Sequence, residues 1–213
     1  MEIRLENLIP LPMKELSTGS SEIWEADSFI FEKGKKYLVE AGSGKGKTSL
    51  LSIIYGLRTD YAGKLFIHEE DSCKFSVKRW TELRKNELSF IFQGLELFDE
   101  LSALENIQLK NNLTRHKNQE EIRRMAEVLD IGAFLNRKCR ILSFGQKQRV
   151  AIIRALCQPF NFLLADECFS HIDKTHGDEA MQLINAECNS RGAGLIMTSL
   201  GNNNQKLDMH INL

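Results

Sequence analysis

Residues 37–57 read YLVEAGSGKGKTSLLSIIYGL, and this stretch decides the fold. Tyr37-Leu38-Val39-Glu40 is a short apolar run of the kind that makes a buried strand. Thr48 to Leu57 carries apolar residues at helical spacing. Between them lie Ala41, Gly42, Ser43, Gly44, Lys45, Gly46 and Lys47. A strand, a glycine loop and a helix in that order can wrap an anion. Glycines let backbone N–H groups point inward, and the helix contributes its positive N-terminal end. Lys47 is then placed for the β- and γ-phosphates of a nucleotide, and Thr48 for Mg²⁺, with Ser49 beside it in the first turn. The strict pattern G-x-x-x-x-G-K-[ST] asks for glycine at 41, where this chain has Ala41. A cost is expected if that residue needs φ > 0. Lys45 is either a further phosphate contact or a solvated lysine. A glycine-rich turn that binds nothing has the same local pattern, so the loop needs support from elsewhere.

That support comes from Phe162-Leu163-Leu164-Ala165-Asp166-Glu167, an apolar run ending in two carboxylates. Ligands of open α/β sheets sit at the carboxyl ends of the strands. Asp166 is placed for the magnesium shell, and Glu167 for polarising the water that attacks a γ-phosphate.

Outward from these segments, strands are expected at 2–8, 28–31, 64–67, 88–92 and 195–198, with an edge strand at 209–213. Helical patterns cover 103–135, 143–156 and 178–188. Strands alternating with helices imply an α/β fold with a largely parallel sheet covered on both faces. The whole chain, 1–213, reads as one domain.

Composition excludes several classes. Hydrophobic residues make up 42% and charged residues 27%, values of a globular chain with a core. A net charge of −1 gives no bulk attraction to nucleic acid, and none is expected as a partner. The five cysteines, an odd number without C-x-x-C spacing, argue against a disulfide framework or zinc site and for a reducing cytoplasm. The opening residues carry Glu2, Arg4 and Glu6, unlike a signal peptide. No apolar run reaches the ~18–20 residues of a membrane span, so any pore must come from another chain.

Leu142 to Leu156 reads LSFGQKQRVAIIRAL, which resembles the signature motif of ABC (ATP-binding cassette) ATPases. Phe90-Ile91-Phe92-Gln93 is similar to the Q-loop of that family, and the segment 168–173, ending in Asp173, to its D-loop. These motifs follow the phosphate loop in the family's order and cover nearly the whole chain. The resemblance implies a P-loop ABC-type nucleotide-binding domain with an N-terminal antiparallel β subdomain and a helical subdomain at about 95–142. It implies ATP and Mg²⁺ as ligands and a head-to-tail homodimer on ATP binding. Ser143, Gly145 and Gln146 of one subunit would then meet the γ-phosphate held by Lys47 of the other. Gln93 would complete the Mg²⁺ shell with Thr48 and Asp166, and Asp173 would link the two sites. A separate membrane-spanning permease would be the partner, placing the chain in the cytoplasm against the inner face of the membrane.

Four positions depart from the family pattern. Ala41 replaces a loop glycine, Phe144 a signature glycine, and Cys168 the proline after the catalytic glutamate. Ser199 stands where a histidine usually contacts the γ-phosphate, which predicts slower hydrolysis. Trp24 lies too far off the usual position to stack on adenine and reads as a core residue. His68, His116, His171, His176 and His210 show no ligand spacing. Size and the Leu97–Leu109 segment resemble lipoprotein-releasing and macrolide-export ATPases, pointing to export or lipophile extraction. The alternatives are a soluble ABC ATPase and a nucleotide-dependent module with impaired hydrolysis.

Overall fold

The structure, a computed structural model, describes residues 1–14, 21–170, 172–201 and 207–213; the reading of His171 falls outside them. In chain order the first elements are β1 (Glu2–Pro10), β2 (Ser28–Glu32), β3 (Lys36–Glu40) and α1 (Lys47–Ile54). There follow β4 (Tyr61–Ile67), β5 (Glu70–Asp71), α2 (Val77–Asn86), β6 (Leu88–Ile91), α3 (Ala103–Thr114) and α4 (Gln119–Val128). The last are α5 (Phe144–Leu156), β7 (Phe162–Asp166), α6 (Lys174–Arg191), β8 (Gly194–Ser199) and β9 (Met209–Asn212).

Two sheets result. One has the order β6-β7-β8-β3-β9, with every neighbouring pair parallel. Its central strands are continuous apolar runs because helices or strands cover both faces; all five residues of β7 are buried. Alternate side chains feed two cores, as a period of two demands. Leu163, Ala165, Leu195, Met197 and Leu38 point to the side packed by α3 to α6. Phe162, Leu164, Ile196, Tyr37 and Val39 point to the side holding α1 and the second sheet. That second sheet is antiparallel, in the order β2-β1-β4-β5, with a register shift in β1 between Glu6 and Ile9. Gly63 sits against the shift at φ +83°, where a Cβ would lie 2.2 Å from the Asn7 carbonyl oxygen, so only glycine fits.

The stretch expected to be helical over 103–135 is two helices and a short 3₁₀ turn at Gly132–Phe134. Arg115 in a left-handed conformation ends α3, and the Asn111 side chain holds the turn through the Lys117 N–H and carbonyl. Both helices begin in reciprocal capping boxes, Ser102 with Glu105 and Asn118 with Glu121. Helix α2 was not anticipated, although Ser76 caps it by accepting the Arg79 N–H. Helix α5 buries Val150, Ile152, Ile153 and Leu156 completely, at ~1.5–3 kcal/mol each. It also buries Arg154, whose guanidinium donates to the carbonyls of Leu95 and Glu96. Those two residues both have positive φ, 61° and 50°, so Arg154 braces a strained backbone just beyond Gln93. No helix of the described residues is long and apolar enough to cross a membrane.

Candidate functional site

The site lies where β3 runs into α1, at the carboxyl end of the parallel sheet. Gly46 is the N-cap of α1 at φ 94°, and offers no side-chain cap to the first-turn N–H groups. A Cβ there would lie 2.5 Å from Met13 Sδ and 3.3 Å from the Trp24 ring, so both conformation and space call for glycine. Gly44 also has positive φ, but Ala41 does not, so the expected cost of alanine at that position is absent. Trp24 is buried, as a core residue, and its indole N–H donates to the Lys45 carbonyl at 3.2 Å. The tryptophan therefore props the loop from behind. Lys45 itself is exposed.

Lys47 is the centre of the arrangement. Its side chain is 5% exposed, and its ammonium donates to the carbonyls of Ala41 (2.7 Å) and Gly42 (3.0 Å) and lies 3.3 Å from Glu167 Oε1. Gln93 at the end of β6 donates to Glu167 Oε2 at 3.1 Å. Register explains the meeting: β6, β7, β8 and β3 are parallel neighbours, so their carboxyl ends bring Gln93, Glu167, Ser199 and the loop to one edge. A cavity of ≈ 440 Å³ opens here, walled by Ser43, Gly44, Thr48, Ser49 and the Lys47–Glu167–Gln93 group.

Thr198 sets the two acids. Its hydroxyl donates to Asp166 Oδ1 at 2.6 Å and accepts the Glu167 N–H at 3.2 Å. Glu167 has a left-handed φ of 46°, unfavourable for a residue with a side chain, and this bond helps hold it. Neither feature is legible in the sequence, where Thr198 is only the last residue of the strand expected at 195–198. Ser199 lines a smaller adjoining cavity of ≈ 230 Å³ that shares Glu167 with the first. Its Oγ accepts the Gly201 N–H and its carbonyl the Ala41 N–H. Burial pushes the neighbouring Cys168 thiol up to about 12, leaving it protonated and inert at neutral pH.

Three features of the molecule fit a magnesium nucleotide. The first turn of α1 presents N–H donors without a side-chain cap, suited to phosphate oxygens. Lys47 is a nearly buried cation held by neutral carbonyls and one acid. Thr48 and Gln93 on the cavity wall, and Asp166 buried behind it, carry side-chain oxygens of the hard type magnesium prefers. Among the described residues no cluster of three His, Cys, Asp or Glu forms an independent metal site.

The other expected contacts lie elsewhere. Ser143, Gly145, Gln146 and Asp173 do not line this cavity. Ser143 caps α5, accepting the Gln146 N–H at 3.2 Å, while Gln146 Oε1 accepts the Ser143 N–H at 3.0 Å. Asp173 caps α6; hydrogen bonding to His176 holds its carboxyl below the usual range. Pro12, Met13, Arg58 and Leu200 complete the cavity wall and were not singled out from sequence. For Arg58 there was no signal, because it lies beyond α1 and outside any motif.

A glycine loop entering a helix on a parallel sheet, with an acid at the end of the neighbouring strands, is the architecture of the P-loop ATPases. Comparisons narrow this class. The profile of the ABC transporter family matches residues 25–170, well over half of the chain. An uncharacterized ABC transporter ATP-binding protein of Thermotoga maritima is 35% identical over 73% of this chain and 68% of its own. The lipoprotein-releasing system ATP-binding protein LolD of Shewanella sp. (strain MR-4) is 32% identical over 82% of this chain and 77% of its own. A dimeric bacterial ABC transporter cassette superposes with a TM-score of 0.76 at 26% identity, covering 93% of this chain and 88% of that one. The chain belongs to the ABC transporter family as an ATP-binding subunit.

Proposed function

We propose that the chain hydrolyses ATP to drive a separate membrane-spanning permease, on whose cytoplasmic face it sits. The observation that carries this reading is the convergence of Lys47, Glu167 and Gln93 on the wall of one cavity beside an uncapped helix start. Lys47 neutralises charge on the β- and γ-phosphates as it redistributes in the transition state. Loop N–H groups from Gly42 to Ser49 hold the triphosphate in line. Glu167, anchored through its N–H to Thr198, accepts a hydrogen bond from the attacking water and orients it. Gln93 meets that carboxylate from the other side and with Thr48 and Asp166 would hold Mg²⁺. Magnesium, when bound, would supply charge neutralisation on the phosphates.

Ser143, Gly145 and Gln146, which stand away from the cavity, act on the nucleotide of a second copy placed head to tail; Asp173 joins the two sites. The likeness to LolD favours export or extraction of a lipophilic molecule. The test is to purify the chain with its permease in liposomes and measure ATP turnover with and without that partner. Permease-dependent turnover that Lys47→Ala abolishes is expected; turnover indifferent to the permease argues for a soluble role. A second reading, a nucleotide-dependent module with slow hydrolysis, is favoured by Ser199, which is shorter than the histidine of the family pattern and carries no titratable charge near neutral pH. Ser199→His should then accelerate turnover in the complete complex; an unchanged rate argues against it.

A further inference from the structure

Arg58 is the feature of the cavity that the reading above leaves without a task. Among the described residues of the wall, Lys47 and Arg58 are the two cations. The guanidinium is not a loose surface group. Its Nε and Nη2 donate to Asp60 Oδ1 (2.6 Å) and Oδ2 (2.8 Å), and its Nη1 donates to Ser49 Oγ at 2.6 Å. A guanidinium has five N–H donors, so one remains on each terminal nitrogen. Asp60 therefore fixes the plane of the fork, and Ser49 fixes which edge faces the cavity.

Position along α1 says which part of the ligand that edge meets. Ser49 is two residues after Lys47, so the two side chains leave the helix ~200° apart. Lys47 faces Glu167 and Gln93, where the γ-phosphate is attacked. Ser49, and Arg58 with it, therefore lies away from that group. Among the described residues that line the cavity none is aromatic, and Trp24 is buried with its N–H on Lys45.

We propose that Arg58, oriented by Asp60, binds the α-phosphate end of the nucleotide together with Ser49. The proposal rests on the ATP-binding reading above. It makes Arg58 a nucleotide-binding residue and Asp60 a positioning residue. The carboxylate offsets part of the arginine's charge, but it is 49% exposed and screened by solvent, so the directed N–H donors remain the effective contact.

Calorimetric titration of the purified chain with Mg·ATP and with Mg·ADP tests this. Arg58→Ala should weaken both nucleotides by the same factor, about tenfold, the loss of a hydrogen bond between charged groups. Arg58→Lys should recover only part of the loss, because an ammonium lacks the planar fork. Asp60→Asn should weaken both nucleotides by less than Arg58→Ala, because the fork keeps its charge but loses one of the two oxygens that orient it. Three results overturn the proposal: unchanged affinity in Arg58→Ala, weakening confined to ATP, or weakening in Asp60→Asn equal to that in Arg58→Ala. The last would reduce the pair to a turn-holding role. Should Arg58→Ala fail to fold, Arg58→Lys and Ser49→Ala carry the same comparison. A wild-type chain that binds neither nucleotide overturns the ATP reading itself, whereas normal wild-type binding left intact by Arg58→Ala overturns only the role of Arg58.

Discussion

Two helix starts in this molecule are assigned to the same kind of anion, and they are built in opposite ways. Helix α1 begins at Gly46, which gives its first turn no side-chain cap. Helix α5 begins at Ser143, whose hydroxyl accepts the Gln146 N–H while Gln146 returns a bond to the Ser143 N–H. At α1 the backbone donors are kept for a ligand. At α5 two of them are already satisfied by the box. The first terminus is built to hold phosphate by itself. The second is a finished surface, able to add a contact to a nucleotide held by something else. That difference is what the proposed head-to-tail pair of copies would require.

The largest expected effect follows at the uncapped start. Gly46→Ala places a Cβ against Met13 and Trp24 in a left-handed conformation. Mg·ATP affinity, read by calorimetry, should fall about hundredfold, as when one or two hydrogen bonds to a charged group fail. Affinity within about threefold of wild type would mean the loop is not the cradle. Next in size, Ser143→Ala should cost ~1 kcal/mol of stability through the lost cap. It should leave nucleotide affinity of the single protomer unchanged and slow turnover of the assembled complex. Loss of affinity in the isolated protomer would erase the distinction between the two helix starts.

A smaller effect concerns pH. Hydrogen bonding to the Ser102 and Asn118 N–H groups holds Glu105 and Glu121 below the usual carboxylate range. Their capping contribution is complete above the unfolded carboxylate pKa and is lost as pH falls through the lower folded value. Helices α3 and α4 should therefore lose amide protection in acid before α5, whose box uses the non-titrating Gln146. Equal loss at all three would contradict this. Least of all, Lys45→Ala should change ATP affinity by under about threefold, since the exposed ammonium is not in the cavity wall.

Most of the sheet was legible because buried parallel strands are continuous apolar runs, and β3, β6, β7 and β8 are such runs. The loop was legible because glycine and lysine at fixed spacing have one common physical use. Less visible were features set by backbone conformation. Ala41 looked costly, but its φ is not positive; Glu167 looked ordinary, but its φ is. The break between α3 and α4 was written in Asn118 and Glu121, a capping box hidden inside a long charged helical pattern. Helix α2 has a cap in Ser76 but buries only Leu83, so its periodicity is faint. Arg58 and Thr198 act through neighbours brought by folding, and no spacing along the chain announces such contacts.

The most direct test of the whole account is to titrate Mg·ATP into the wild type, Lys47→Ala and Glu167→Gln, and to measure phosphate release by each in the complete complex. Lys47→Ala should lose affinity. Glu167→Gln should bind within about threefold of the wild type and release phosphate at least about a hundredfold more slowly. Undiminished phosphate release from Glu167→Gln, or undiminished ATP affinity in Lys47→Ala, would contradict the claim that these two side chains enclose one triphosphate.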